Sequence, residues 1–70
     1  MPTDLDDQLR AAHAAGDGPA LIALYEKAAN LAADEDATGF YLTHAWVFAL
    51  EAGDPAAMRL FARLSAMGRA

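Results

Sequence analysis

The chain has 70 residues, no cysteine and a formal net charge of −5. This length allows one small domain, and the lack of thiols excludes a disulfide or a thiolate metal site within it. The acidic balance argues against nucleic-acid binding, which needs a basic surface, and no apolar run approaches the roughly 20 residues of a membrane span.

The first half of the chain predicts a helical hairpin. A first helix is expected over residues 4–15, because Thr3 can cap its free backbone N–H groups. Gly16 ends this helix, since glycine readily takes the left-handed conformation of a helix C-terminus. A second helix is expected over residues 19–33, with Pro19 in its first turn. The turn is short, so the two helices should run antiparallel.

The second half predicts a hairpin of the same kind. A third helix is expected over residues 37–52, after an acidic linker at residues 34–36. Gly53 ends this helix, and Pro55 opens a fourth helix over residues 55–67. No segment shows the alternating pattern of a β-strand.

A short phrase is common to both halves. The segment from Gly16 to Tyr25 aligns with the segment from Gly53 to Phe61 when Gly18 is omitted, at a spacing of 36 to 37 residues. A period of this size, with helical patterning on both sides of a turn, is typical of stacked helical hairpins. Such repeats usually present a binding surface to another protein.

Two segments resemble the tetratricopeptide repeat. Residues 24–31 resemble its second helix, and residues 42–54 resemble its first helix and the following turn. The resemblance implies an all-α fold of four helices, arranged as two stacked antiparallel hairpins over residues 3–33 and 37–68. It also implies that a protein or peptide binds in the groove lined by the first helix of each hairpin.

Trp46 is expected to be a core residue, because aromatic residues at helical spacing are usually buried. We expect this indole to be largely buried between the second and fourth helices. Its expected neighbours are Leu24, Tyr25, Leu42, Ala49, Phe61 and Leu64.

No arrangement of side chains predicts catalysis. Ser65 is the only serine, and neither His13 nor His44 lies in a catalytic or metal-binding motif. Two histidines do not complete a zinc site, which takes about four ligands. We therefore expect a protein that is not an enzyme and has no metal or cofactor. A small enzyme or metal carrier is the alternative that a tightly bound metal would favour.

The third helix carries two apolar residues on its polar side. At about 100° per residue, Thr43, His44 and Glu51 fall on one side, which should face water. Phe40 and Val47 fall within the same arc, and exposed apolar residues often mark an interface. The first helix presents a charged face beside it. The expected partner-binding residues are Phe40, Thr43, His44, Val47, Glu51, Asp6, Arg10 and His13.

These observations predict a small adaptor or accessory subunit that binds another protein or peptide. The N-terminus has no signal pattern, so a cytoplasmic location is expected. The alternative is a self-associating module, because two repeats are fewer than the roughly three that close such a stack. A homo-oligomer would then complete it. Nucleic acid and membranes are not expected partners.

Overall fold

The computed structural model describes residues 4–70 and contains four α-helices. No strand lies within these residues, so the predicted all-α class is confirmed. Every helix boundary lies within about two residues of its predicted position. The helices are α1 (Leu5–Ala15), α2 (Gly18–Leu31), α3 (Glu35–Ala52) and α4 (Ala56–Ala66).

An aspartate caps each of the first three helices, and another lies two residues before α4. Asp4, Asp17 and Asp34 each accept a hydrogen bond from the backbone N–H three residues later, at 2.8 to 3.2 Å. Asp54 accepts one from the N–H two residues later, at 2.8 Å. Asp4 thus has the capping role predicted for Thr3, which lies outside the described residues. The predicted acidic linker is shorter than expected, because Asp34 caps α3 and the next two acids lie in its first turn.

The repeated Gly-Asp phrase forms the same turn twice. Gly16 and Gly53 both have φ of 64°, in the left-handed region. In each turn the glycine N–H donates to the carbonyl three residues earlier, and the next N–H donates to the carbonyl five residues earlier. This pair of bonds is the Schellman motif, so both predicted helix ends are confirmed.

Each helix packs on the next one along the chain, and α2 with α3 forms the most extensive contact. The short connections make successive helices antiparallel. Side chains bridge alternate helices: His13 of α1 reaches Phe48 of α3, and Glu26 of α2 pairs with Arg59 and Arg63 of α4. The helices therefore zigzag, with α1 and α3 on one side and α2 and α4 on the other.

The core consists of alanines and aliphatic side chains. Leu42, Leu60 and Leu64 are fully buried. Trp46 is only partly buried at the edge of the core, 5.7 Å from the ring of Phe61, which is 46% exposed. Trp46 packs against the core and contacts Phe61 as expected, but Phe61 itself is largely at the surface. The other buried apolar residues are Ala12, Leu21, Ile22, Ala28, Ala29, Ala45 and Ala49.

The C-terminal segment closes back onto the start of α3. The side chain of Arg69 covers Gly39, where any side chain would collide with it. Its guanidinium donates to the carboxylate of Asp36 at 2.7 Å. The glycine in the first turn of α3 therefore makes room for this arginine.

Glu26 connects α2 to α4 through two arginines and is largely shielded from solvent. Burial acts to raise the pKa of Glu26, but the hydrogen bonds and positive charges of Arg59 and Arg63 outweigh it and lower this pKa below the ordinary value. A carboxyl group whose pKa is lower in the folded state stabilises the fold above its unfolded pKa. This contribution is lost as the pH falls through the folded pKa.

The turn geometry predicts the effect of Gly53→Ala. This change should lower the free energy of unfolding by about 1 kcal/mol, because alanine is strained at positive φ. Open space surrounds Gly53, so the cost is conformational rather than steric. Gly18 is also in open space but lacks a positive φ, and Gly18→Ala should not destabilise the protein. If urea denaturation gave the same decrease in the free energy of unfolding for both variants, positive φ at Gly53 would not be the cause.

The Glu26 cluster predicts a pH-dependent loss. Glu26→Gln should lower the free energy of unfolding by about 1 kcal/mol at pH 7, because it removes two ion pairs. The difference from the wild type should shrink as the pH falls from the ordinary glutamate range through the lower folded-state pKa of Glu26, because the wild-type carboxyl then becomes protonated. Urea denaturation across this range measures it. Glu51→Gln is the control, since Glu51 has no ion pair within residues 4–70. A deficit that does not vary with pH would exclude the ion pairs as its cause.

Candidate functional site

The outward side of α3, which we call the α3 outer face, carries Phe40, Thr43, Val47 and Glu51. Phe40 is 57% exposed and Val47 is 42% exposed. Thr43 and Glu51 are exposed as well. The opposite side of the same helix is completely buried. The side chains therefore face the directions expected from the helical period, while their role in binding stays a prediction.

A surface cavity of about 240 Å³ lies along this face. This volume is below the usual range for small-molecule sites, so it suits a single inserted side chain. Four of the predicted partner-binding residues line it, together with Phe48. The lining residues are Thr43, His44, Val47, Phe48 and Glu51.

Tyr25 of α2 holds one wall of this cavity in place. Its ring stacks on His44 with centroids 5.2 Å apart, and on Phe48 with centroids 5.7 Å apart. Its hydroxyl lies 2.9 Å from Nε2 of His13, within hydrogen-bonding distance. One side chain thereby connects α1, α2 and α3, and it positions both histidines.

The tautomer of His44 follows from its partner. Its Nδ1 lies 2.9 Å from the carbonyl oxygen of Phe40, which can only accept, so Nδ1 carries a proton. The Phe40 and His44 rings are 4.4 Å apart. These contacts fix the imidazole and leave Nε2 as the nitrogen available to a partner.

The predicted residues of α1 do not all join this cluster. His13 joins it through Tyr25 and Phe48. Asp6 and Arg10 pair with each other at 2.7 Å on the exposed surface of α1, and within residues 4–70 neither forms an ion pair or hydrogen bond with α3. The structure thus places one of the three beside the cavity.

We call the cluster of Tyr25, Tyr41, His44 and Phe48 the aromatic wall. The spacing of its α3 residues is visible in the sequence, although the prediction did not use it. Tyr41, His44 and Phe48 follow the spacing i, i+3, i+7 and so share one flank of α3. Tyr25 faces this flank from α2. Periodicity could have placed the three α3 residues together, but not the residue from α2 that meets them.

A second apolar surface lies on the other flank of α3 and was not predicted. We call it the α3–α4 groove, a cavity of about 380 Å³. Three of its side chains are unusually exposed for apolar residues: Leu50 at 53%, Met58 at 81% and Phe61 at 46%. The lining residues are Trp46, Leu50, Ala57, Met58 and Phe61.

All four arginines form ion pairs within the chain. Arg10 pairs with Asp6, Arg59 and Arg63 pair with Glu26, and Arg69 pairs with Asp36; these are the four ion-pair contacts of the described residues. The carboxylates outside these pairs outnumber the one remaining cation, Lys27. The charge available to a partner is therefore negative.

The described residues offer little else that could act as a site. In residues 4–70, no group of three or more histidine and carboxylate side chains could hold a metal ion. None of the four helices is both long and apolar enough to cross a membrane. No protein-family model, curated protein or solved structure matches the chain. Any functional proposal thus depends on the chain's own geometry.

The aromatic wall predicts a graded response at Tyr25. Tyr25→Phe should keep the stacking and lose only the hydroxyl contact with His13, lowering the free energy of unfolding by about 1 kcal/mol or less. Tyr25→Ala should cost about 3 kcal/mol, because it also removes the ring. Urea denaturation measures both changes.

NMR resonances of the imidazole rings localise the effect. Tyr25→Phe should shift the His13 resonances more than those of His44, because only His13 meets the hydroxyl. Tyr25→Ala should shift both. Unchanged imidazole resonances in Tyr25→Ala would contradict the central place of this residue.

Proposed function

We propose that this chain is a protein-interaction module, a small adaptor or accessory subunit that binds another protein through the α3 outer face. One observation carries the proposal: Phe40 and Val47 are exposed on a helix whose opposite residues Leu42, Ala45 and Ala49 are completely buried, and Val47 lines a cavity. Core packing accounts for neither exposed side chain. Exposed apolar residues with polar groups around them are typical of interfaces.

The spacing of the two apolar residues suits an elongated partner segment. Phe40 and Val47 are seven residues apart, which is about 10 Å along a helix. The cavity beside Val47 accepts one apolar side chain. We therefore propose a helical or extended segment that lies along α3 and inserts a single apolar residue.

Charged and polar groups at the rim indicate the partner's chemistry. Thr43 already donates its hydroxyl proton to the carbonyl of Gly39 at 2.8 Å. The groups left for a partner are Nε2 of His44 and the carboxylate of Glu51. Together with the net charge of −5, this favours a segment with a lysine or arginine next to its apolar residue.

The cavity is preorganised for binding. Stacking on Tyr25 holds Phe48, and the hydrogen bond to the Phe40 carbonyl holds His44. Side chains that are already fixed lose little conformational entropy when a partner binds. Rigid aromatic anchors of this kind are common among the residues that dominate binding energy.

The framework of the proposal is a pair of tetratricopeptide-like hairpins in a cytoplasmic protein that is not an enzyme. The two Schellman turns, 37 residues apart at Gly16 and Gly53, support a repeated hairpin unit. The contact between His13 and Phe48 supports a continuous surface across α1 and α3. Binding of other proteins is the usual task of such helical surfaces.

The double change Phe40→Ser, Val47→Ser tests the proposal. It should leave helix content intact, because both side chains are exposed, and it should weaken partner binding at least tenfold. The chain lacks cysteine, so Thr43→Cys introduces a unique site for a photo-crosslinker beside the cavity. Crosslinking in a lysate of the source cell should capture a partner. Calorimetry then measures the affinity of that partner for the wild type and for the double variant.

A matched site elsewhere on the surface controls the experiment. Leu31 is 68% exposed on α2, away from both cavities. Leu31→Cys should not capture the same partner, and Leu31→Ser should not alter its affinity. A partner that binds the folded double variant as tightly as the wild type would refute the assignment of this face. Cooperative unfolding of the double variant would show that the two residues serve the core.

A further inference from the structure

We infer that the α3–α4 groove binds a second copy of this chain and forms a symmetric homodimer. The groove lies on the opposite flank of α3 from the aromatic wall. The inference therefore does not depend on the proposed function of the α3 outer face. It stands on the shape, charge and area of the groove.

The groove carries both an exposed, projecting side chain and an apolar hollow. Met58 projects from α4 with 81% of its surface exposed, directly beside a cavity of about 380 Å³ lined by apolar atoms of Trp46 and Phe61. A two-fold interface requires that one patch carry both the projection and the hollow that receives it. Met58 of each copy can fill the cavity of the other, because an unbranched thioether adapts to such gaps.

The charge distribution favours approach through this surface. Two copies with a net charge of −5 repel each other, so association needs a surface without uncompensated carboxylates. No charged residue lines the groove. Arg59 and Arg63 lie on α4, which forms one side of the groove, and Glu26 of the same chain compensates one of their two positive charges.

The exposed area matches the lower limit of a stable dimer. The exposed parts of the groove residues sum to on the order of 400 Å² of apolar surface. Homodimer interfaces are about 65% apolar, which corresponds to roughly 600 Å² for each copy. The total of about 1,200 Å² lies at the small end of specific interfaces, so the dimer should be weak.

The arrangement of helices leaves this edge open. Both α2 and α3 pack on two neighbours, whereas each terminal helix of the described chain packs on one: α1 on α2, and α4 on α3. If α4 of a second copy packed against this groove, the alternating arrangement of helices would continue from one copy into the other. The dimer would then contain a continuous row of eight helices.

Sedimentation equilibrium of the purified chain between about 10 μM and 1 mM tests the inference. The wild type should shift from 7.4 kDa to twice that mass, with a dissociation constant of about 10–100 μM. Met58→Lys should raise this constant at least tenfold. Leu50→Lys is a second, independent disruption, and circular dichroism confirms that each variant is folded.

Two controls separate this surface from others. Leu31→Lys makes the same change of charge at an exposed leucine outside the groove and should keep the dimer. Phe40→Ser, Val47→Ser should keep it as well, which distinguishes this inference from the proposed partner site. In NMR dilution spectra, the Met58 methyl resonance should shift more than that of Met67.

A wild type that stays monomeric up to 1 mM would overturn the inference. So would a dimer that survives Met58→Lys and Leu50→Lys in folded protein. A dimer lost only in the Phe40→Ser, Val47→Ser variant would also overturn it, because self-association would then use the α3 outer face.

Discussion

Close packing of the alanine-rich side of α3 is the constraint on which the rest of the structure depends. Ala45 and Ala49 are completely buried, and together with Leu42 they let α2 and α4 approach α3 closely. Small side chains at these positions favour close helix packing. The aromatic residues Tyr41, Trp46 and Phe48 pack against this core from the two flanks of α3. Each flank becomes an aromatic surface, with Phe48 on one side and Trp46 on the other.

The two flanks of α3 differ in how many of their side chains have partners within the chain. On the α1 side, Tyr25 stacks on Phe48 and its hydroxyl lies within hydrogen-bonding distance of His13, so these rings and polar groups have partners within the chain. On the α4 side, Trp46 contacts one other ring among residues 4–70, that of Phe61, and the surrounding apolar atoms face solvent. A 70-residue chain buries only about 60% of its unfolded surface, so association can add stability that the monomer lacks. The first flank is thus preorganised for a partner, and the second is an exposed apolar surface.

Local signals were sufficient for the helices and turns. Aspartate before each helix and glycine after α1 and α3 act through hydrogen bonds within a few residues, so they are readable without knowledge of the fold. The differences between the predicted and observed helix ends also have local causes. Helix α3 starts two residues earlier than predicted because Asp34 caps it. Helix α2 ends at Leu31 because the backbone becomes extended at the next residue. The exposure of Phe40 and Val47 followed from the helical period alone.

The sequence by itself determined the all-α class, the four helices, the two equivalent Gly-Asp turns and the outward side of α3. Only the tertiary structure decided that Trp46 and Phe61 lie at the edge of the core, that Tyr25 joins His13 to His44, and that a groove opens between α3 and α4. The physical reason is the distance along the sequence over which each interaction acts. Capping, turn geometry and periodicity involve neighbours along one helix, whereas burial of a ring depends on how closely other helices approach, which small residues distant in the sequence determine.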